Sequence, residues 1–213
     1  MKRAISGARI FDGKTWHDKA ALVFSEGTVD AIVPETAIPA DADLVSAEGG
    51  MLVPGFIDLQ VNGGGGVMLN DQPTVAGLRT ICTAHARFGT TALLPTLITD
   101  TRETTAAVIA AGRQAVAEKV PGLLGLHLEG PHLSLARKGA HDPALIRPMD
   151  IADLDLLLSC RDVFPSMMIT IAPESVTQAQ VSELSAAGFI ISLGHTDADF
   201  ETAGRYAAAG ART

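Results

Sequence analysis

Hydrophobic and polar positions follow one spacing in the first fifty residues and another after them. Apolar and polar residues alternate in "AISGARIFDGKTW" and "AALVFSEGTVDAIVP", around Asp12 and Gly13 and around Glu26 and Gly27. Dipeptides of this kind between alternating segments are typical of hairpin turns. The pattern predicts that residues 1–53 form short antiparallel strands.

From Met51 onward, buried strand-like runs alternate with segments of helical spacing. Such alternation predicts a parallel sheet covered by helices. The spacing suits a (β/α)₈ barrel, which needs about 250 residues for eight units, but residues 54–213 supply only five. Either an open doubly wound sheet or a barrel cut short would fit. We expect the truncated barrel, because the chain stops just after a helix, where the next strand should begin. The predicted helices are "TVAGLRTICTAHARFG", "TRETTAAVIAAGRQAVAEK", "DIADLDLLLSCRD", "VTQAQVSELSAAG" and "DADFETAGRYAAAG".

Composition narrows the class of protein. Hydrophobic residues make up 47% of the chain, as in a globular protein, and the net charge of −8 argues against nucleic acid as the main partner. Cys82 and Cys160 lie in apolar, helix-like stretches, which favours buried free thiols in a reducing compartment. No apolar run approaches the ~18 residues of a membrane span, and the start lacks the apolar region of a signal peptide. We expect a soluble, cytoplasmic protein without a membrane partner.

Polar and ionisable residues gather at the predicted ends of the strands. In barrels and open α/β sheets, the carboxyl ends of the strands form the face that carries the functional site. A buried carboxylate there needs a metal or another cation, because burial of an unpaired charge is costly. The residues concerned are Gln60, Asn62, Thr96, His127, Glu129, Glu174 and His195.

Glu129 and His195 are the best candidates for metal ligands. A carboxylate oxygen and an imidazole nitrogen suit Zn²⁺ or Fe²⁺. Each residue also has a purely structural interpretation. Glu129 could pair with Arg137 or Lys138, and His195 could cap the helix that begins near Asp197. From the residues by themselves, both interpretations remain open.

The other histidines are weaker candidates. His127 lies two residues from Glu129 on the same strand face, so it is expected to support a ligand rather than to bind the metal. His85 lies on the apolar face of a helix, where core packing is the simpler role. The segment "KGAH", which ends at His141, could contact a substrate or could be an ordinary loop.

Three segments in order resemble one family. "VPGFIDLQVNGGGGVMLND", "GLHLEGPHLS…KGAHDP" and "SLGHTDADFETAGRYAAAGART" are similar to segments of the N-acetylglucosamine-6-phosphate deacetylases of the amidohydrolase superfamily. The resemblance implies a (β/α)₈ TIM barrel of the metal-dependent hydrolase type, here truncated after about five β/α units. It also implies a small β-sandwich built from both chain ends, with residues 1–53 as its N-terminal strands and residues 54–213 as the first part of the barrel.

The resemblance also assigns roles to residues. The metal ligands of the family match Glu129 and His195, and its substrate-contacting pair matches Ala140 and His141. The second histidine ligand and the catalytic aspartate would lie beyond Thr213, so no catalytic residue is expected in this segment.

Many amidohydrolases carry H-x-H at the end of the first barrel strand, whereas this chain has Gln60 and Asn62 there. Amides are poor ligands beside imidazoles. The sequence therefore resembles the single-metal form of the enzyme, with Gln60 and Asn62 as supporting residues.

The implied reaction is hydrolysis of the acetamide of N-acetyl-D-glucosamine 6-phosphate to glucosamine 6-phosphate and acetate. It implies one divalent metal, with zinc preferred and iron or cobalt as alternatives, and a homodimer at full length. The alternatives are a deacetylase for N-acetylgalactosamine 6-phosphate and a non-catalytic protein that binds an amino sugar phosphate. A chain that ends at Thr213 is expected to be inactive and poorly stable.

Overall fold

The computed structural model describes all 213 residues, which form two compact units, Met1–Gly55 and Phe56–Thr213. The boundary predicted from the sequence, after residue 53, lies two residues before the observed one. Each unit contains its own sheets, so each is described by itself.

The first unit contains seven strands in two sheets. One sheet has the order β5-β4-β1-β6, and the other has the order β3-β2-β7. The strands are β1 (Lys2–Ser6), β2 (Arg9–Phe11), β3 (Trp16–His17), β4 (Ala20–Ser25), β5 (Thr28–Pro34), β6 (Asp43–Ser46) and β7 (Met51–Leu52).

Both predicted hairpins are present in this unit. β2 pairs antiparallel with β3, and β4 pairs antiparallel with β5 through a two-residue turn in which Glu26 and Gly27 have positive φ. The expectation of antiparallel pairing throughout is wrong, because β6 runs parallel to β1 and β7 runs parallel to β2. Only strands joined by a tight turn must be antiparallel, and neither β6 nor β7 is joined to its partner in that way.

The second unit is built on a five-stranded parallel sheet. Its order follows the chain, from β8 to β12, without reversal. A doubly wound sheet would reverse its order at a switch point, so this sheet has the topology of half a barrel. The strands are β8 (Phe56–Val61), β9 (Thr90–Ile98), β10 (Gly125–Glu129), β11 (Ser166–Ile171) and β12 (Ile190–Leu193).

Five helices connect or follow these strands, each in a predicted segment. In every one, a side chain at the N-cap accepts a hydrogen bond from a backbone N–H of the first turn, and each such cap is worth about 1 kcal/mol. The helices are α1 (Val75–Ala86), α2 (Arg102–Ala117), α3 (Ile151–Leu158), α4 (Gln178–Ala186) and α5 (Phe200–Ala209).

The core of the second unit lies between the parallel sheet and its helices. Both cysteines are buried free thiols, as predicted, and burial raises the pKa of the Cys82 thiol to about 11. No helix is long and apolar enough to cross a membrane. The largest fully buried aliphatic side chains of this core include Leu78, Ile81, Leu93, Leu126, Ile169, Leu184 and Ile191.

Candidate metal and substrate site

Four predicted side chains converge at the carboxyl edge of the parallel sheet. Glu129 ends β10, Gln60 lies near the end of β8, His195 follows β12, and His141 lies in the loop after β10. One ligand atom from each of Glu129, His141 and His195 lies within 4.8 Å of the others. Glu129 and His141 are buried, so the cluster is a partly desolvated group of side chains whose atoms are of the types that can bind a metal.

Glu129 is contacted by two side chains. Gln60 Nε2 donates to Glu129 Oε2 at 3.0 Å, and His195 Nε2 lies 3.0 Å from Glu129 Oε1. His141 Nε2 lies further away, at 3.9 Å from Oε1. Glu129 is not paired with Arg137, which instead forms an ion pair with Asp197. The carboxylate therefore faces two imidazoles and an amide, without an arginine or lysine to neutralise it.

The orientation of the His195 ring leaves one nitrogen free for a cation. Its Nδ1 lies 3.0 Å from the carbonyl oxygen of Arg137, so Nδ1 carries the proton and donates it. The Nε2 lone pair then faces a carboxylate oxygen at 3.0 Å. Two hydrogen-bond acceptors this close together repel each other unless a proton or a bound cation lies between them. Tetrahedral ligand bonds of about 2.0–2.2 Å place neighbouring ligand atoms of one Zn²⁺ roughly 3.3–3.6 Å apart, so a metal would fit after the two atoms separate by a few tenths of an ångström.

The loop that carries His195 is fixed by hydrogen bonds. Glu174, after β11, accepts from the Thr196 hydroxyl and from the backbone N–H of Asp197, both at 2.7 Å. Burial raises the pKa of Glu174, but these hydrogen bonds outweigh it and lower the pKa overall. His195 has a φ of +50°, a left-handed conformation that non-glycine residues seldom adopt. It does not cap α5, whose N-cap is Asp199.

His141 is 5% exposed and lies edge-on to His195, with ring centroids 4.5 Å apart. Burial lowers the pKa of His141, the neighbouring His195 lowers it further, and Glu129 partly opposes this. The lowered pKa keeps the ring neutral at neutral pH. Ala140, its predicted partner in substrate contact, is exposed directly before it.

Two other candidates lie apart from Glu129. Asn62 is exposed beyond the end of β8. The ring of His127 is held between Thr96 and Thr170, at 3.1 and 2.8 Å, rather than against the carboxylate. Neither Asn62 nor His127 therefore makes the direct contact with Glu129 that a supporting role would need. His132 also points elsewhere, with Nδ1 3.0 Å from the Arg147 carbonyl.

Two groups at the site were not predicted. Thr99, directly after β9, contacts Nδ1 of His141, and the backbone carbonyl of Arg137 binds His195. A signal for Thr99 was present in the sequence, since it follows a buried strand and precedes the N-cap of α2 at Thr101. The sequence contains no such signal for the role of the Arg137 carbonyl, because every residue carries a backbone carbonyl.

The sequence of this chain is similar to those of known proteins. Residues 51–193 match the model of the amidohydrolase family. This chain belongs to the amidohydrolase family. It is 44% identical over 207 residues to an N-acetylgalactosamine-6-phosphate deacetylase of Shewanella sp. (strain ANA-3), covering 96% of the chain and 52% of that protein. It is 36% identical to an N-acetylglucosamine-6-phosphate deacetylase of Haemophilus influenzae over 183 residues, covering 86% of the chain and 48% of that protein.

Solved structures agree. An N-acetylglucosamine-6-phosphate deacetylase from Pasteurella multocida matches with a TM-score of 0.93 at 33% identity, over 99% of this chain and 55% of that one. A mutant of the Mycobacterium smegmatis enzyme, in complex with N-acetyl-D-glucosamine 6-phosphate, matches with a TM-score of 0.86 at 29% identity, over 99% and 54% of the chains. The chain thus spans about half the length of the relatives it matches.

Proposed function

We propose that the complete protein hydrolyses the acetamide of N-acetyl-D-glucosamine 6-phosphate to glucosamine 6-phosphate and acetate. The observation that carries the proposal is the cluster of Glu129, His195 and His141 at the carboxyl edge of the sheet. Membership of the amidohydrolase family and similarity to deacetylases of both hexosamine 6-phosphates support the choice of reaction.

Glu129 and His195 would hold one divalent metal, with zinc as the first candidate and iron or cobalt as alternatives. The buried carboxylate and the free Nε2 lone pair of His195 are the observations that fit it. When bound, such an ion polarises a carbonyl and lowers the pKa of water to about 7. Gln60 and Asn62 replace the imidazoles that would hold a second ion, so we propose a single-metal site.

The residues of this chain would bind and orient the substrate. His141 would donate a hydrogen bond to the acetamide oxygen, where negative charge develops during attack, and Ala140 would lie beside the sugar. By family resemblance, a second histidine ligand, the catalytic aspartate, the rest of an eight-unit barrel, the completed β-sandwich and a homodimer partner would come from outside these residues.

Acetate release tests the proposal. The complete protein, loaded with Zn²⁺, should release acetate from N-acetyl-D-glucosamine 6-phosphate, and removal of the metal by a chelator should abolish release. Metal content should approach one ion per subunit. A protein that binds the sugar phosphate without releasing acetate would instead be a non-catalytic binder.

The galactosamine analogue is a second candidate substrate. The observation that favours it is the 44% identity to the Shewanella N-acetylgalactosamine-6-phosphate deacetylase. The two sugars differ at one hydroxyl, so both should be assayed in parallel. A kcat/KM at least tenfold higher for the galacto compound would replace the gluco assignment.

Gln60 offers a narrower test of the metal site. Replacing Gln60 with leucine removes the 3.0 Å hydrogen bond that orients Glu129 while keeping a side chain of similar size. We expect Zn²⁺ affinity to fall about tenfold, as is usual when a group that orients a ligand is lost. Titration against a competing chelator measures this. As a control, leucine at Gln178, an exposed residue of α4, should leave the affinity unchanged.

A further inference from the structure

We propose that Thr99 is a positioning residue that fixes His141 as the Nε2–H tautomer, so that His141 donates a hydrogen bond to the substrate instead of binding the metal. The inference rests on the proposed function for the identity of the substrate. The geometry that supports it lies entirely within the second unit.

Thr99 approaches one nitrogen of His141 with two groups. Its backbone N–H donates to His141 Nδ1 at 3.3 Å, and its Oγ1 lies 2.8 Å from the same atom. Thr99 is 6% exposed and His141 is 5% exposed, so water has little access to compete. A backbone N–H can only donate. Nδ1 must therefore present its lone pair, and the proton of the neutral ring lies on Nε2.

The hydroxyl of Thr99 strengthens the same assignment. With Nδ1 as an acceptor, the hydroxyl donates to it at 2.8 Å in preference to the Glu129 carbonyl at 3.5 Å. The chain leaves room for this hydroxyl at Gly130. A Cβ on Gly130, whose φ is +87°, would lie 2.2 Å from Thr99 Oγ1. A glycine at this position therefore allows the hydroxyl to reach the imidazole.

The two histidines of the site are thus held in opposite tautomers, one by a backbone carbonyl that accepts a hydrogen bond and the other by a backbone N–H that donates one. The Arg137 carbonyl accepts a hydrogen bond from the Nδ1–H of His195, which leaves the Nε2 lone pair free for a cation. The Thr99 N–H occupies the Nδ1 lone pair of His141 and leaves a proton on its Nε2. Three side chains are close enough to be ligands, yet only Glu129 and His195 present lone pairs to a metal.

Thr99→Val and Thr99→Ser in the complete, zinc-loaded protein test the proposal. Valine keeps the shape and the backbone N–H but removes the hydroxyl, and serine restores the hydroxyl. For valine we expect kcat to fall about five- to tenfold, as for one lost hydrogen bond, with KM within twofold of the wild type. Serine should recover most of the rate. Zinc content should stay at the wild-type level in both variants.

Nitrogen NMR provides a readout independent of turnover. In the wild type, the His141 signals, assigned by their loss in His141→Asn, should show an unprotonated Nδ1 and a protonated Nε2. In Thr99→Val, which keeps the backbone N–H, Nδ1 should stay unprotonated, and its signal should move further from the protonated range because one of its two hydrogen bonds is lost. A wild-type Nδ1 that carries the proton would overturn the proposal, and so would loss of zinc in the valine variant or wild-type kcat with an unchanged spectrum. If the wild type releases no acetate, the proposed function fails, while the spectra and zinc content still decide the tautomer.

Discussion

Replacing Glu129 with glutamine should lower kcat/KM for deacetylation by about 10³ and abolish stoichiometric zinc binding, without unfolding the protein. Glu129 supplies the only negative charge in the cluster with His195 and His141. A neutral amide binds Zn²⁺ poorly. Loss of metal assistance worth several kcal/mol of barrier corresponds to this loss of rate, at about 1.4 kcal/mol for each factor of ten.

The same substitution should leave the metal-free protein at least as stable as the wild type. In the metal-free site, the Nε2 lone pair of His195 and an oxygen of Glu129 face each other at 3.0 Å. A glutamine amide could donate to His195 Nε2 and still accept from Gln60, which removes the conflict between two acceptors. Urea denaturation with a chelator present measures the free energy of unfolding. Steady-state kinetics measure kcat/KM, and metal analysis measures zinc content.

Glu183→Gln is the matched control for this experiment. Glu183 is exposed on α4, and the substitution changes the net charge by the same amount. It should leave kcat/KM, zinc content and stability at wild-type values. Turnover by Glu129→Gln within tenfold of the wild type would show that Glu129 is not a metal ligand. Unfolding of its metal-free form would show a structural role instead.

The parallel half of the chain could be predicted well because its strands are buried and regularly spaced. Glu129 and His195 are 66 residues apart, yet Glu129 ends one strand of the parallel sheet and His195 follows another, with β11 between those strands. Parallel strands place their carboxyl ends at one edge, so strand order predicted that both residues lie on that edge, whereas their direct contact could not be predicted from spacing. The first unit was harder, because the return of β6 and β7 beside β1 and β2 depends on long connections rather than on local turn residues.

The chemical state of the site was beyond prediction from sequence. The resemblance assigned His141 to the substrate, but the groups that fix its proton are a backbone N–H and a hydroxyl that approach from another strand. The proton position on His195 depends on a carbonyl in an irregular loop. Such contacts depend on the path of the backbone between elements, and hydrophobic periodicity carries no information about that path.

Between pH 6.5 and pH 4, the metal-free protein should lose about 3 kcal/mol of stability through His127 alone. His127 is fully buried, and burial lowers its pKa from 6.5 to about 4, although the nearby Glu129 opposes this shift. The unfolded chain binds a proton near pH 6.5, whereas the folded chain excludes it until about pH 4. The contribution of His127 to stability is therefore fully present above pH 6.5. It falls as the pH approaches 4, where the loss levels off.

Most of this pH range lies above the range in which carboxylates lose their contribution to stability. Asp12 and Asp150 have pKa values lowered to about 2, by hydrogen bonds first from His17 and from the Asp153 backbone, respectively. Their contributions are lost chiefly below the unfolded value of 3.8, at the acid end of the histidine window, and Glu174, whose pKa is lowered from 4.5, acts in the same direction near pH 4. His132 and His141 have pKa values lowered chiefly by burial and act in the same direction as His127, so only a variant isolates one residue.

His127→Gln supplies that variant. Glutamine can donate to one of the two threonines that hold the imidazole and accept from the other, and it does not titrate. The variant should be less stable at pH 7.5, but its loss between pH 7.5 and pH 4.5 should be about 2–3 kcal/mol smaller than that of the wild type. Urea denaturation at both pH values, with a chelator present, measures the difference. Gln178→Leu, at an exposed position of α4 that carries no titratable group, should keep the wild-type slope. An equal slope in His127→Gln would mean that the buried ring takes up a proton without penalty, as it would if water entered between Thr96 and Thr170.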